Sequence, residues 1–465
     1  MTVQHDASAP SSGRVTQVFS AASYFSTAPV RLKIMLCLLA VLPLFGETFH
    51  YIANLRPLWM LSKAFPVLSL PLVFALTSYP RFPMTRQILI CFTWLVLSPS
   101  IASIFYFDEG FFTGVTAQVK LLPMLYFFSF LGLLVTLRPS LKEIRRSFLM
   151  LGLLTVGTLI LLWAIVPNRW YNSHYVFGAA PFFSADNRGH RIRMQMFFPV
   201  VLLFYLYRRA FFEKSLVCLA GMAVTFAVTL LIVKARSMII GITIVAMVNT
   251  ILWSRPLVRV ALALSAPFGF VAMFSTGYLA TTFNTSRDTG FDVRYITAEK
   301  ASNFLGDSPL RWIFGVGTLS PTSKDTLVAY FHHFFFLADI TWLGIVFEYG
   351  LIGALIFILF ELRGMLFYAK LRTCVHDDFL DSLFDYLGYV LVISFFYPPT
   401  LAPGETAVIL AIFAYTWRAG GFDRPAPAVY DHGRRRRLEH AGEALPTALG
   451  NNLPGRPSGT TAGDV

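Results

Sequence analysis

Apolar runs separated by short polar connections recur along almost the whole chain. They are centred on residues 32–52, 60–79, 88–107, 119–137, 148–166, 194–207, 215–233, 238–253, 257–276, 339–360, 383–396 and 407–417. A helix crosses the hydrocarbon core of a bilayer with about 20 apolar residues. The pattern therefore predicts an all-α, polytopic integral membrane protein of about twelve transmembrane helices.

Basic residues cluster in alternate connections: Arg31 and Lys33, Arg81 and Arg86, Arg138 to Arg146, Arg208 and Arg209, Arg255 and Arg259, Arg363 to Arg372. Lysine and arginine are retained on the cytoplasmic side, so this alternation orients the chain with both termini in the cytoplasm. Residues 1–30 are polar and have no small-residue cleavage site beside the first apolar run, which reads as an uncleaved first helix. Residues 31–418 form the expected membrane domain. Two outer connections are long: 167–195, and 277–338 between the ninth and tenth helices. The second is long enough to form a structured cap, and aromatic clusters such as Trp312 to Phe314 and Tyr330 to Phe336 favour order there.

Composition supports the membrane class, with 56% apolar and only 14% charged residues. The net charge of +13 does not imply nucleic-acid binding, because part of it sits in a Pro/Gly/Ala-rich tail, 419–465, that carries Arg434 to Arg437. Such a tail is expected to be disordered, solvated or in contact with anionic headgroups. The four cysteines suggest no disulfide or metal framework. No G-x-x-x-x-G-K-[ST] loop, D-x-D pair or zinc-ligand spacing occurs, so no cofactor is implied.

One short connection carries a cationic pair against the charge rule. Lys234 and Arg236 stand between two apolar runs on the side assigned to the exterior, where cations are disfavoured. Arg188, Arg191, Arg193, Arg294 and Arg311 fall on that same side. Guanidinium groups hold phosphate in a fixed fork, and an anion at the outer face of an inner membrane is the diphosphate of a polyprenyl-linked sugar. Fixed cations would stabilise its developing charge as it leaves. Blander readings compete: snorkelling for Arg188, Arg191 and Arg193, and ion pairing with Asp292, Glu299 or Asp307 for Arg294 and Arg311. Glu47 and Glu348 are acids within apolar runs and should face protein or a cavity.

Three segments resemble the O-antigen ligase and Wzy-type polysaccharide polymerase superfamily. Lys234-Ala-Arg-Ser-Met-Ile-Ile-Gly241 looks like its Ser-Arg-Ser/Thr-Gly turn. Arg294, then Pro309-Leu-Arg-Trp-Ile-Phe-Gly-Val-Gly317, looks like its Arg, Trp, Gly-x-Gly succession. Asp339-Ile-Thr-Trp-Leu-Gly-Ile-Val-Phe-Glu-Tyr-Gly350 looks like its entry to a helix ending Glu-x-Gly. The resemblance spans about residues 188–360 and implies a glycosyltransferase of the bacterial inner membrane with a periplasmic active face. Its implied substrate is undecaprenyl-diphosphate-linked oligosaccharide, handled without nucleotide or metal.

In that reading Arg236 and Arg294 hold the diphosphate, with Arg191 or Arg193 a looser match and Lys234, Arg311 and Glu348 in support. The family's histidine falls on Asp339 here, so the base that activates the acceptor hydroxyl is Asp339, His333 or His332. Asp339 is favoured by its register with Glu348 and Gly350, although it could equally be a helix cap. The expected partners are the lipid-linked glycan, membrane lipids and other polysaccharide export or chain-length proteins. A repeat-unit polymerase is the leading expectation. An O-antigen ligase acting on lipid A core, a flippase or transporter of lipid-linked sugars, and a non-catalytic scaffold are the rivals.

Overall fold

A computed structural model describes residues 30–53, 55–77, 82–173, 181–186, 189–253, 289–320, 326–331, 335–396 and 402–420. The expected run at 257–276 and the basic tail lie outside the described residues. Every other expected run lies on a helix. These are α1 (Leu32–Phe45), α2 (Arg56–Leu68, prolonged by a 3-10 stretch Leu70–Leu76), α3 (Thr85–Phe107), the short α4 (Phe111–Ala117), and α5 (Tyr126–Leu137, entered through a 3-10 stretch Val119–Leu125). There follow α6 (Leu141–Ile165), α7 (Phe197–Glu213), α8 (Leu216–Val228, closed by a π turn Thr229–Val233) and α9 (Arg236–Trp253). The last part comprises α10 (Thr289–Leu305), α11 (Pro309–Phe314), α12 (Leu327–Tyr330), α13 (Thr341–Arg372, entered through a 3-10 turn Leu337–Ile340), α14 (Asp378–Ile393) and α15 (Pro403–Ala419).

Among the described residues six helical stretches are long and apolar enough to cross a membrane: Arg56–Leu76, Thr85–Phe107, Val119–Leu137, Leu141–Ile165, Leu216–Val233 and Leu337–Arg372. Their outer faces are apolar and bare, as at Phe105 (79% exposed), Leu216 (79%) and Val217 (81%). So much contiguous apolar surface is untenable in water and ordinary against lipid tails. The chain is an all-α membrane protein in its main architecture.

Helix α15 is the hub. Every one of its residues except Arg418 is buried, as expected for a helix apolar on all sides. It packs on α5 and on the 3-10 stretch before it, while α6 packs on α7, α7 on α14, and α14 on α9. Small residues allow the close approaches. A methyl group on Gly152 of α6 would lie 2.8 Å from the Phe198 carbonyl oxygen, and one on Gly364 of α13 would lie 2.7 Å from a Leu410 methyl.

One buried ion cluster ties α7, α9, α13 and α14 together. Arg208 donates through Nε and Nη2 to the two carboxylate oxygens of Asp385, at 2.5 and 2.7 Å. Its Nη1 lies 3.1 Å from Asp381. Asn249 donates to Asp385, and Tyr368 and Arg372 engage Asp381. Distributing two carboxylates over two guanidinium groups leaves each charge partnered, which is the condition for keeping them in an apolar interior.

Two elements lie outside the simplest helical expectation. In the first long connection, β1 (Phe183–Asp186) pairs antiparallel with β2 (Gly189–Ile192) in register Phe183 to Ile192. Gly189 takes a positive φ of 79° at the start of β2, where the hairpin reverses. Asn172 pins the outer side by donating to the Ala185 carbonyl and accepting from its N–H. Tyr171 stacks edge-on against Phe183 and lies beside His190, and burial pushes its phenol pKa up.

The second long connection is ordered by apolar packing. From α10 to the start of α13, Ala301, Leu305, Val316, Phe335, Ile340 and Phe347 form a core, with Tyr106, Phe107, Phe304 and Phe331 packed around it. Phe107 and Phe304 stack face to face at 5.7 Å. The α10 to α12 region is thereby fastened to the end of α3 and the start of α13.

Candidate functional site

The hairpin carries the first group of expected cations. Arg191 is 6% exposed on β2, and Arg193 follows it, its N–H bonded to the Phe182 carbonyl. Strand β2 packs against the π turn that closes α8. That turn ends on Lys234, which adopts a left-handed φ of 53° and so reverses the chain. Arg236 opens α9 two residues later. The closeness is concrete: a methyl group on Gly189 would sit 3.3 Å from Lys234 Nζ. Residues about 40 positions apart in sequence thus share one corner, and the absence of a side chain at Gly189 leaves the Lys234 ammonium its space. Arg188, by contrast, lies outside the described residues.

Directly after Arg193 the chain is anchored. Gln195 donates to Glu405, and Tyr386 donates to the other oxygen of the same carboxylate. Glu405 is 3% exposed on the first turn of α15. Its neighbour Gly404 packs against Pro123 and Tyr126, and a methyl there would lie 3.2 Å from Glu47 Oε1. The acid in the first apolar run is therefore turned toward protein, where it also meets His50 at 3.6 Å.

The second group lies where the 3-10 stretch before α5 meets α13. Lys120 Nζ donates to both oxygens of Glu348, at 2.7 and 2.5 Å. Gln118 donates to the same carboxylate at 3.1 Å and accepts from the Tyr349 hydroxyl at 2.8 Å. Glu348 is thus positioned by lysine rather than by an arginine. The helix breaks beside it, since Gly350 has φ 70° and ψ 179°. Gly315 adopts nearly the same conformation, φ 77° and ψ −178°, and the two backbones lie against each other. Val316 N–H donates to the Phe347 carbonyl and Gly317 N–H to that of Glu348. The Gly-Val-Gly segment is a strand-like insertion against a broken helix, and it brings the α11 region to the edge of the Glu348 site.

The remaining expected residues are separately placed. Arg294 is exposed on α10. Arg311 donates to the Phe304 carbonyl at 2.6 Å and lies over the rings of Tyr106 and Phe304 at 5.2 and 5.3 Å. Asp339 is half-buried in the 3-10 turn before α13. The helix cap position falls on Ile340, with no side-chain cap bond, so Asp339 does not serve as the cap. Its carboxylate has no ion-pair partner among the described residues. Helix α10 packs against that turn, which puts Arg294 and Asp339 on neighbouring elements. His332 and His333 lie outside the described residues.

Lys120, Gln118, Gln195 and Glu405 were not singled out by the sequence. Lys120 carried a signal nonetheless: like Lys234, it stands beside an apolar run on the side that the expected topology assigns to the exterior, where the charge rule disfavours a cation.

Comparison with protein-family models and with curated protein sequences returned no match.

Proposed function

We propose that this chain is a multispan glycosyltransferase that joins polyprenyl-diphosphate-linked oligosaccharide units into a longer polysaccharide. It acts at the periplasmic face of a bacterial inner membrane, with about twelve spans in the intact bundle. The observation that carries the reading is the meeting of the hairpin bearing Arg191 and Arg193 with the Lys234 to Arg236 turn. Four cations delivered by two connections suit a doubly charged diphosphate better than they suit lipid headgroups, which need no folded hairpin to reach them.

In the reaction, an acceptor hydroxyl oxygen attacks the anomeric carbon of the donor sugar. The C–O bond to the diphosphate breaks, and its electron pair leaves on the phosphate oxygen. Arg191, Lys234 and Arg236 stabilise that charge, and Arg294 and Arg311 are assigned a supporting part from the α10 and α11 region. The hydroxyl proton passes to Asp339 or His333. Glu348, fixed by Lys120 and Gln118, positions the α13 entry beside that base. Among the described residues no ion pair competes for the Asp339 carboxylate.

The test uses purified full-length protein in detergent with a lipid-linked repeat unit. A ladder of products supports polymerisation. Transfer that requires added lipid A core would assign the chain as a ligase, and no covalent change would refute glycosyl transfer. Arg236→Ala is expected to lower product formation by at least about a hundredfold, in line with the loss of one transition-state charge contact, while the protein remains folded and monodisperse. Full activity in that variant would remove Arg236 from the site.

A further inference from the structure

The interior of the bundle holds two carboxyl groups that no cation neutralises. Glu361 lies on α13 and is 6% exposed. Its Oε1 accepts a hydrogen bond from the Thr406 hydroxyl at 3.0 Å, and its Oε2 is buried with no partner. Glu405, the residue before Thr406 on α15, accepts from Gln195 and Tyr386. Neither acid has a cationic partner among the described residues. That sets the pair apart from Asp385, which is equally enclosed but clasped by Arg208, and from Glu348, which Lys120 neutralises. A charge left on Glu361 would stand uncompensated in an apolar interior, a state that proteins avoid by neutralising the group. A metal ion needs several oxygen ligands, and no cluster of acidic, histidine or cysteine side chains able to hold one occurs among the described residues. A proton needs only one bare oxygen, and Glu361 Oε2 supplies it.

Titratable groups lead inward to this pair. A methyl on Gly404, the residue before Glu405, would lie 3.2 Å from Glu47 Oε1. The other oxygen of Glu47 is 3.6 Å from His50 Nδ1, and Lys63 of α2 lies 2.9 Å from the same nitrogen. The His50 side chain is 36% exposed and that of Glu47 15%. An accessible imidazole, a half-buried acid and two enclosed acids therefore follow one another, with Thr406 linking the last two. The groups around the pair leave it unneutralised. Helix α5 presents Tyr126 beside Gly404, and α14 presents Tyr386 with its neighbour Tyr389. Asp381 and Asp385 of α14 are held by Arg208 and Arg372. Arg363, two residues beyond Glu361, is exposed and lies within electrostatic reach of Cys91 on α3.

We propose that Glu361 and Glu405 form a proton-binding site inside the bundle, in which Glu361 carries the proton and Glu47 with His50 loads it. One proton enters and no other covalent bond changes. An intramembrane acid of this kind, reached through a chain of acids and histidine, is the arrangement that proton relays use. The proposal does not depend on the glycosyltransferase reading.

The experiment records infrared spectra of full-length protein in lipid nanodiscs near neutral pH, in water and after transfer to deuterium oxide. A protonated carboxyl gives a carbonyl stretch, separate from the carboxylate bands, that moves to lower frequency on deuteration. That band is expected in the parent, and Glu361→Gln should abolish a component of it. Glu109, whose Oε2 also has no partner, is the other source of such a band, so the component that counts is the one lost in Glu361→Gln. Glu47→Gln combined with His50→Ala should slow deuteration of that component at least about tenfold, a change of about 1.4 kcal/mol in the barrier to exchange. Thr406→Val removes the one hydrogen bond to the Glu361 carboxyl and should raise the frequency of the component, which provides a second reading should Glu361→Gln fail to fold.

A carbonyl band that Glu361→Gln leaves whole, or that Thr406→Val leaves unmoved, would overturn the site. Deuteration as fast in the doubly substituted protein as in the parent would overturn the loading route through Glu47 and His50. Disappearance of the component on adding sodium chloride at constant pH would put a monovalent cation in place of the proton and overturn the proposal as well.

Discussion

Replacing Gly350 by alanine tests the contact that joins the α11 region to α13. At φ 70° and ψ 179°, the residue occupies a region essentially restricted to glycine, which costs a substituted residue about 1–3 kcal/mol. A methyl group there would also lie 2.2 Å from the Ile313 carbonyl oxygen and 2.5 Å from Gly315 N. Those neighbours are backbone and cannot rotate away. The segment must then separate, weakening the bonds from Val316 and Gly317 to the Phe347 and Glu348 carbonyls, each worth about 0.5–1.5 kcal/mol net. The expected loss is about 2–6 kcal/mol in total.

Polytopic proteins usually unfold irreversibly in detergent, so the readout is the half-life of the monodisperse fraction at a fixed temperature. If the contact is broken in the unfolding transition state, even the lower bound shortens that half-life by about thirtyfold. Gly157→Ala is the matched control. It lies on α6 with nothing within 4 Å of an added methyl, and alanine there should stabilise the helix by about 0.5–1 kcal/mol. A Gly350→Ala protein as long-lived as the parent would refute the backbone account of this junction.

Two other perturbations have defined outcomes. Arg208→Ala removes the main partner of Asp385, whose side chain is 1% exposed, and should destabilise by about 3–5 kcal/mol. Arg208→Met combined with Asp385→Asn should recover much of that loss, and thermal half-lives showing no recovery would mean that the pair is not the dominant interaction. For the base, Asp339→Asn and His333→Ala are compared in the elongation assay: the true base should lose at least about a hundredfold in turnover, while near-normal rates in both variants would eliminate both residues.

The helices were legible because a span requires a long uninterrupted apolar run, and 119–137 or 148–166 admits few other readings. The Lys234 and Arg236 pair stood out in the sequence for a different reason. Lys234 and Arg236 run against the charge pattern of the expected topology, and such an exception singles out a residue without any knowledge of what it touches. Lys120 violates the same rule but sits at the head of a run rather than in an isolated turn, so it reads as a flank. Its carboxylate partner is 228 positions away, and no local spacing connects them. The hairpin was hidden because strands of four residues with a polar turn leave no periodic trace, and much of its stability comes from Asn172, Tyr171 and the π turn of α8.

Which helix lies at the centre was not legible at all, and the reason is physical. In water, the apolar face of a helix marks its buried side, because the other side must be polar. In lipid, tails are as apolar as leucine, so core and surface positions draw on the same residues. Helix α15 is enclosed on all sides while the window of α8 and its π turn is only 28% buried, yet both read simply as hydrophobic. What separates them is the polar residue that only an enclosed helix can tolerate. Glu405 sits at 3% exposure with Gln195 and Tyr386 to satisfy it, and no acid or amide interrupts Leu216 to Val233. In a chain of this class, a carboxylate within or at the edge of an apolar run is the sequence's marker for the inside of the bundle, and Glu47, Glu348, Glu361 and Asp385 mark α1, α13 and α14 in the same way.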